Sequence, residues 1–375
     1  MRSLQQIFAK ISVSMLCLFA LGAQGQQAPI LINTNVTIRV MAANLTSGNT
    51  PFYQTPGLNI MKGLKPDVVA IQEFNYGTKS AADMKFMVTN TFGTNFVYFR
   101  ESSATETYDI PNGIISRYPI ISSNSWDDTT IPNRGFAWTR IDIPGTNDLY
   151  VVSVHLKASG SDATTRATEA SNLKSLIQSN FPSNAFIIVA GDMNISSTTE
   201  GALTTLKSFL SDNPIPNDGE SPVDADTNAG RSERYDYVFP SFSLDTNRVA
   251  TVIGSRTFAN GLVFDSRVYT PLSDVPPVLA GDSGASMMQH MAVVKDFRIN
   301  YTITNFVTVP PPTLVLNSTN IIRWQGLSNV AYSVQASTNL PTFATVGTAT
   351  STTTNLSFTN QNSSALQRFF RVVYP

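Results

Sequence analysis

Cysteine is all but missing from this chain: of 375 residues only Cys17 is one, and it lies in an apolar run near the N-terminus. A disulfide scaffold, a zinc cage and a thiol nucleophile are thereby excluded for everything that follows that run. Charge is scarce too. Asp, Glu, Lys and Arg make up 14% of the chain and nearly cancel to a net −1, against about 25% in an ordinary globular protein. Neither a nucleic-acid-coating protein nor a disordered acidic one has this composition. Histidine occurs twice, at His155 and His290. Beyond the N-terminal run no apolar stretch approaches the roughly 20 residues that cross a bilayer, so no integral membrane span is expected in the mature chain.

The N-terminal segment has a composition of its own. Arg2 and Lys10 form a basic start, Ile11 to Leu21 is apolar, and Ala23-Gln24-Gly25 meets the small-x-small rule for cleavage. Residues 1–25 therefore read as a secretory signal peptide cut near Gly25, with a retained anchor as the alternative. Leu16, where a small residue would be needed, argues against lipidation of Cys17. A secreted, periplasmic or cell-surface location is expected.

At about 150 residues per domain, the length predicts two domains or one large domain with an appendage. The composition changes at Val309-Pro310-Pro311-Pro312, so residues 304–312 read as a stiff proline-rich linker. Residues 313–375 contain no Asp, Glu or Lys and only Arg323, Arg368 and Arg371 among the charged types. Short β-branched and aromatic runs at Ile321 to Trp324, Tyr332 to Gln335, Leu356 to Phe358 and Phe369 to Val373 predict a small all-β sandwich there. Setting aside these arginines and the two cations of the leader leaves about −6 for the middle domain, residues 30–303. Such a domain must build any duplex-binding face locally or bind something smaller.

Within the middle domain, Val36 to Met41, Val68 to Ile71, Leu149 to Leu156, Ala185 to Ala190, Tyr235 to Phe239 and Met291 to Phe297 read as core strands. Thr164 to Phe181 and Glu200 to Leu210 have helical spacing. The expected architecture is a four-layered α/β sandwich, two packed mixed sheets flanked by helices, followed by the small all-β domain. Several core strands meet chemically useful residues at their ends. Val68 to Ile71 runs into Gln72-Glu73, Val151 to Val154 into His155, and Ile187 to Gly191 into Asp192-Met193-Asn194, while His290 precedes Met291 to Val294. Any one of these is an ordinary capping residue, but strand ends in a layered fold converge on one rim.

Ile71 to Glu73 (IQE), Asn112 to Ile120 (NGIISRYPI), Val152 to Ala158 (VSVHLKA), Val189 to Asn194 (VAGDMN), Arg234 to Phe239 (RYDYVF) and Gln289 to Phe297 (QHMAVVKDF) together resemble the endonuclease/exonuclease/phosphatase superfamily, in its order. The likeness covers roughly Asn35 to Asn300. It implies a metal-dependent phosphoesterase whose substrate is a phosphodiester of nucleic acid or phospholipid, with a nuclease favoured. A sphingomyelinase-like or small phosphate-ester hydrolase is the alternative. On this resemblance Glu73 and Asn44 bind the cation, Mg²⁺ with Mn²⁺ or Ca²⁺ as substitutes. Asp192 and Asn194 orient or deprotonate the attacking water, and Asn112 contacts phosphate. Asp236 fixes His290, which holds or protonates a phosphate oxygen, and His155 is the general acid for the departing oxygen. Arg117 is read equally as a phosphate contact and as a solvated strand cap.

Gln289 departs from the family pattern, which places an aspartate before the final histidine, and Asp282 is nominated as its substitute. That departure also supports a reading of another class, a non-catalytic binding or surface-attachment protein on the same fold. Trp126, Trp138 and Trp324 read as packing residues, Ser159-Gly160-Ser161 as loop, and Arg234 as the partner of a nearby acid. The C-terminal domain is expected to contact a polymer or the cell surface, and the chain to be a monomer.

Overall fold

A computed structural model describes residues 26–102, 109–309, 314–317, 321–339, 341–361 and 369–373. The leader 1–25 and the prolines at 310–312 lie outside the described residues. Two compact units are present, one spanning Thr34–Tyr301 and the other taking in the described residues before and after it.

The larger unit is a four-layered α/β sandwich. Its first sheet runs in the order Arg248–Val249, Ala292–Val309, Gln26–Ala43, Val68–Ile71, Gly113–Ser116, Val97–Arg100, with Leu262–Phe264 also pairing to Ala292–Val309. The second runs Ile120–Asp127, Gly135–Ile141, Leu149–His155, Phe186–Asp192, Asp236–Pro240. Strand Ala292–Val309 includes residues 304–309, which composition had assigned to a linker.

Alternation decides which face each residue serves. Val40, Ala42, Val68, Ala70 and Ile114 of the first sheet meet Ala137, Val151, Ile188, Ala190 and Val238 of the second to form the central layer. The opposite face of the first sheet, with Met41, Val69, Ile71 and Ile115, is covered by helices Thr55–Leu64 and Ala81–Phe92. Val152, Val154, Ile187 and Val189 on the outer face of the second sheet pack under helices Ala163–Asn180 and Gly201–Lys207. Strands buried on both faces explain why Val68–Ile71 is apolar at every position. Helix Ala163–Asn180 departs from a simple amphipathic stripe, because Arg166 and Glu169 are buried beside Ala170, Leu173 and Ile177. Trp126 and Trp138 pack with Phe181, ring centroids 5.4 and 5.5 Å away.

The smaller unit holds two three-stranded sheets, Val315–Asn317, Ile321–Gln325, Asn355–Thr359 and Ala344–Ala349, Tyr332–Ser337, Phe369–Val373. Ile322, Trp324 and Leu356 of one meet Tyr332 and Val334 of the other in a small core.

Candidate active site

Register builds the site. His155 pairs with Asp192 between parallel strands, and Asp192 pairs with Asp236 between antiparallel ones, so three functional residues form one row across the end of the second sheet. The first sheet brings its own row to the same rim. Ala43 pairs with Ile71, which puts Asn44 beside Gln72-Glu73, and Ile71 pairs with Gly113, which puts Asn112 at that end as well. His290 enters just before strand Ala292–Val309, held by a bridge to Asn228.

Small polar links lock the two rims together. Gln72 Nε2 donates to Ser153 Oγ at 2.8 Å, and Ser153 Oγ donates to the Ile71 carbonyl at 2.9 Å. Tyr53 Oη reaches the carbonyls of Ala43 and Gln72 at 2.6 and 2.9 Å. Gly191 is required here: its φ is +139°, and a Cβ would collide with the Val154 carbonyl and the Gln72 side chain. Glu73 (φ +50°) and Asn194 (φ +49°) also adopt left-handed backbone, a strain that concentrates at functional sites.

Asp192 is the hub. Its Oδ2 lies 3.3 Å from His155 Nε2 and 3.3 Å from His290 Nε2, and accepts a bond from Asn44 Nδ2 at 3.1 Å. Its Oδ1 accepts the Asn194 backbone N–H at 2.9 Å. Behind His290, Nδ1 lies 2.9 Å from Asp236 Oδ2. Asp192, Asp236 and His290 are all buried, and one ligand atom of each falls within 4.8 Å of the others, close enough for a cation. Thr46 Oγ1 donates to Glu73 Oε2 at 2.5 Å.

Burial and neighbours set opposite protonation on the two rings. Burial favours the neutral form of His290, but Asp236 and Asp192 outweigh it and raise the ring to about 10. Burial, then the Arg134 guanidinium, then His290 push His155 well below its ordinary value. Burial lifts Asp192 to about 6 against the pull of His290. In the metal-free site these shifts favour the proton on His290. His155, expected as the general acid, is in place at the site, but its ring is flanked by a buried guanidinium and its Nδ1 has no carboxylate partner.

Two other expectations change. Arg117 follows strand Gly113–Ser116 and pairs with Asp67, 2.9 Å away, just before Val68–Ile71. These lie at the end of the first sheet opposite Glu73 and Asn112, roughly 13 Å along a four-residue strand, so Arg117 is the solvated cap and no phosphate contact. Asp282 Oδ2 accepts bonds from Asn59 Nδ2 and Leu279 N–H at 3.1 and 2.8 Å, which commits it to loop packing rather than to Gln289's vacancy in the family pattern. Arg234 pairs with Asp212 at 2.7 Å.

The structure adds Arg134, Glu101 and Thr46 to the rim. Glu101 Oε1 accepts the N–H groups of Asn112 and Gly135 at 2.5 and 3.2 Å, while Asn112 Nδ2 donates to the Gly135 carbonyl at 2.7 Å. Arg134, just ahead of the apolar strand Gly135–Ile141, fits the strand-end pattern of His155 and Asp192 and was open to the same inspection.

Convergent buried imidazoles and carboxylates on the rim of a four-layered sandwich define a metal-dependent phosphoesterase. The chain belongs to the endonuclease/exonuclease/phosphatase family, whose profile matches residues 58–274. The matched span holds Glu73, Asn112, His155, Asp192, Asn194 and Asp236; Asn44 and His290 lie outside it and join the site through the fold. No curated protein matches significantly. Among solved structures, an endonuclease/exonuclease/phosphatase from Beutenbergia cavernae DSM 12333 is 14% identical, covering 90% of this chain and 100% of that one at a TM-score of 0.45. A family protein from Leptotrichia buccalis C-1013-b is 14% identical over 69% of this chain and 99% of its own, TM-score 0.45. A beta toxin from Staphylococcus aureus is 14% identical over 69% and 99%, TM-score 0.44. No helix among the described residues is long and apolar enough to cross a membrane.

Proposed function

We propose that this chain is a secreted phosphodiesterase, a nuclease in its main activity, which hydrolyses its substrate by attack of a water oriented on Asp192 and Asn194. The observation that carries the reading is the shared Asp192 oxygen, 3.3 Å from the Nε2 of both histidines, with Asp236 behind only one of them. A phosphodiester is anionic and has a poor leaving group, so its site must neutralise oxygens and supply a proton. As the water oxygen bonds to phosphorus, its proton passes to the Asp192 carboxylate. The ester P–O bond breaks, and the departing oxygen takes the proton that His290 carries. His155, neutral, donates a hydrogen bond from Nε2 to a phosphate oxygen, and Asn112 contacts another.

Glu73 and Asn44 would hold a divalent cation. Asn44 Oδ1 is buried without a partner, and Thr46 engages only Oε2 of Glu73. An all-oxygen donor set of this kind suits a hard ion, Mg²⁺ first and Mn²⁺ or Ca²⁺ as substitutes. Bound there, the ion supplies charge neutralisation on the phosphate.

Export follows from the leader at 1–25, and the small β unit is the part we assign to contact with a polymer or the cell surface. A phospholipid substrate is the second reading, favoured by exposed Leu279 and Met287 shortly before His290. The test is turnover of mature protein on plasmid DNA, RNA, sphingomyelin vesicles and a chromogenic diester, with Mg²⁺, Mn²⁺, Ca²⁺ or chelator, beside His290→Ala. A nuclease loses turnover on DNA steeply as salt rises while its turnover of the small diester barely moves. Vesicle cleavage without DNA cleavage selects the lipid reading, and a His290→Ala variant with wild-type turnover rejects the mechanism.

A further inference from the structure

The two catalytic histidines are held in different ways. His290 has the Asp236 carboxylate on Nδ1, the usual means of aiming an imidazole. His155 has nothing on Nδ1, which is buried and without a partner. Apart from the 3.3 Å approach of Nε2 to Asp192 Oδ2, its ring direction depends on the backbone that carries it, and that backbone is leaving its strand: Leu149–His155 ends at this residue.

Beyond the strand the chain is gripped by buried ionisable side chains. Arg134 Nε donates to the His155 carbonyl at 2.5 Å and Nη2 to the Leu156 carbonyl at 2.8 Å. The Lys157 N–H is received by both oxygens of Glu169, at 3.2 and 3.0 Å. Arg166 Nη1 donates to the carbonyls of Lys157 and Ser159 at 2.9 and 2.6 Å. Arg166 also forks onto Glu200, with both bonds at 2.8 Å, and Glu200 accepts the Ser196 N–H at 2.9 Å just past Asn194. Asn194 Nδ2 closes the frame on the Leu156 carbonyl at 3.0 Å. Arg166 and Glu169 are wholly buried and Arg134 is 5% exposed.

Burying two guanidiniums beside a Glu169 carboxyl that burial raises to about 8 gains little stability over apolar packing. What they deliver is geometry, because a guanidinium fork offers donors in a fixed plane to two successive carbonyls. We propose that Arg134 is a positioning residue for His155, which with Glu169 and Arg166 clamps residues 155–159 so that the unsupported imidazole faces Asp192. None of the three need touch substrate. The inference rests on the phosphodiesterase reading for its kinetic arm only.

The experiment is a double-mutant cycle with a spectroscopic arm. Arg134→Lys keeps the charge but cannot span both carbonyls. Measured as kcat and KM on a chromogenic diester, it should lower kcat by about 10- to 100-fold, the cost of a small misplacement of a reacting group, with KM little changed. In a His155→Asn background the same substitution should leave the residual kcat unmoved, because the group it aims is gone. An equal kcat loss in both backgrounds overturns the proposal. With only two histidines in the chain, the imidazole resonances are assigned from His155→Asn and His290→Asn. Arg134→Lys should shift the His155 ring signals and leave those of His290 in place, and unmoved His155 signals likewise overturn the proposal. Should Arg134→Lys fail to fold, Glu169→Gln, which loosens the next residue of the clamp, must give the same pattern. A wild type inactive on every diester sinks the functional reading instead, and the spectra still decide the clamp.

Discussion

Replacing Asp236 by Asn isolates the charge that separates the two histidines. Asp236 is fully buried, its Oδ2 lies 2.9 Å from His290 Nδ1, and its backbone N–H is anchored on Thr227 Oγ1 at 2.8 Å, so the substitution keeps shape and removes one negative charge. His290 is raised from 6.5 to about 10, which at about 1.4 kcal/mol per unit is about 5 kcal/mol in favour of the imidazolium. Asp192 supplies part of this and remains, and the variant is relieved of burying the Asp236 carboxylate. A net loss of about 3 kcal/mol is therefore expected, at the lower end of the range for breaking a buried ion pair. The sign is fixed by linkage: a folded-state value above the unfolded one stabilises fully below pH 6.5, and the benefit fades as pH rises through about 10. Urea unfolding of chelator-treated protein at pH 6, 8 and 10.5, followed by circular dichroism, should show the deficit largest at pH 6 and nearly absent at pH 10.5. In the same samples the His290 ring should titrate several units lower than in wild type. Turnover at pH 7 with metal restored should fall by about 10²- to 10⁴-fold, the scale of a lost oriented acid. A deficit that is equal at pH 6 and 10.5, or a His290 that still titrates near its wild-type value, refutes the reasoning.

Three further outcomes follow from other parts of the molecule. Lys295 is buried with no partner for Nζ, and burial, then Arg234, lower it to about 8 against the pull of Asp212 and Asp245; Lys295→Met should stabilise the protein at pH 7 by up to about 3 kcal/mol. Because a lysine with a depressed folded value gains stability as pH rises from about 8 to 10.5, denaturation midpoints of the two proteins should converge over that window. Glu73→Gln should raise the divalent-ion concentration needed for half-maximal turnover by at least about tenfold, the scale set for losses around metal sites, in a metal titration of activity. Trp324→Ala removes the largest side chain of the small β core and should cost about 3–5 kcal/mol there, seen as rapid proteolysis of the β unit while turnover on a small soluble diester is retained.

Much of the sandwich is legible in the sequence because its strands are buried on both faces and therefore read as unbroken apolar runs. Val68–Ile71 and Phe186–Asp192 are examples, and in each the change from apolar to polar marks the residue that reaches the rim. Strand Ile120–Asp127 escaped because its outer positions are exposed and its composition is that of a loop, and helix Thr55–Leu64 because Pro56 and two glycines interrupt its pattern. For the site, sequence distance hides what register makes plain. Arg117 and Asn112 flank the same four-residue strand and look equally eligible; only the antiparallel pairing of Gly113 with Ile71 sends one to the rim and the other to the far end. Glu169 escaped because it acts through a backbone N–H, for which no residue pattern exists, whereas Arg134 does sit at a strand end and only the carbonyls it grips are unmarked in the sequence.

The same limit applies to the protonation of the two histidines. In the sequence His155 and His290 are alike, each bordering an apolar run, and each puts Nε2 at the same distance from one carboxylate oxygen. What separates them is the far side of each ring. Asp236 pairs across the sheet with Asp192 and so arrives behind His290, whereas His155 Nδ1 has no partner and the nearby Arg134 guanidinium turns to the carbonyls of residues 155 and 156. A carboxylate behind one ring and a cation beside the other divide a single proton unequally between two identical side chains. The proposed mechanism, which holds one anion with a neutral donor and discharges another with a charged one, uses that inequality, and it arises from residues at the ends of strands Gly135–Ile141 and Asp236–Pro240, which flank the strands of His155 and Asp192 on either side.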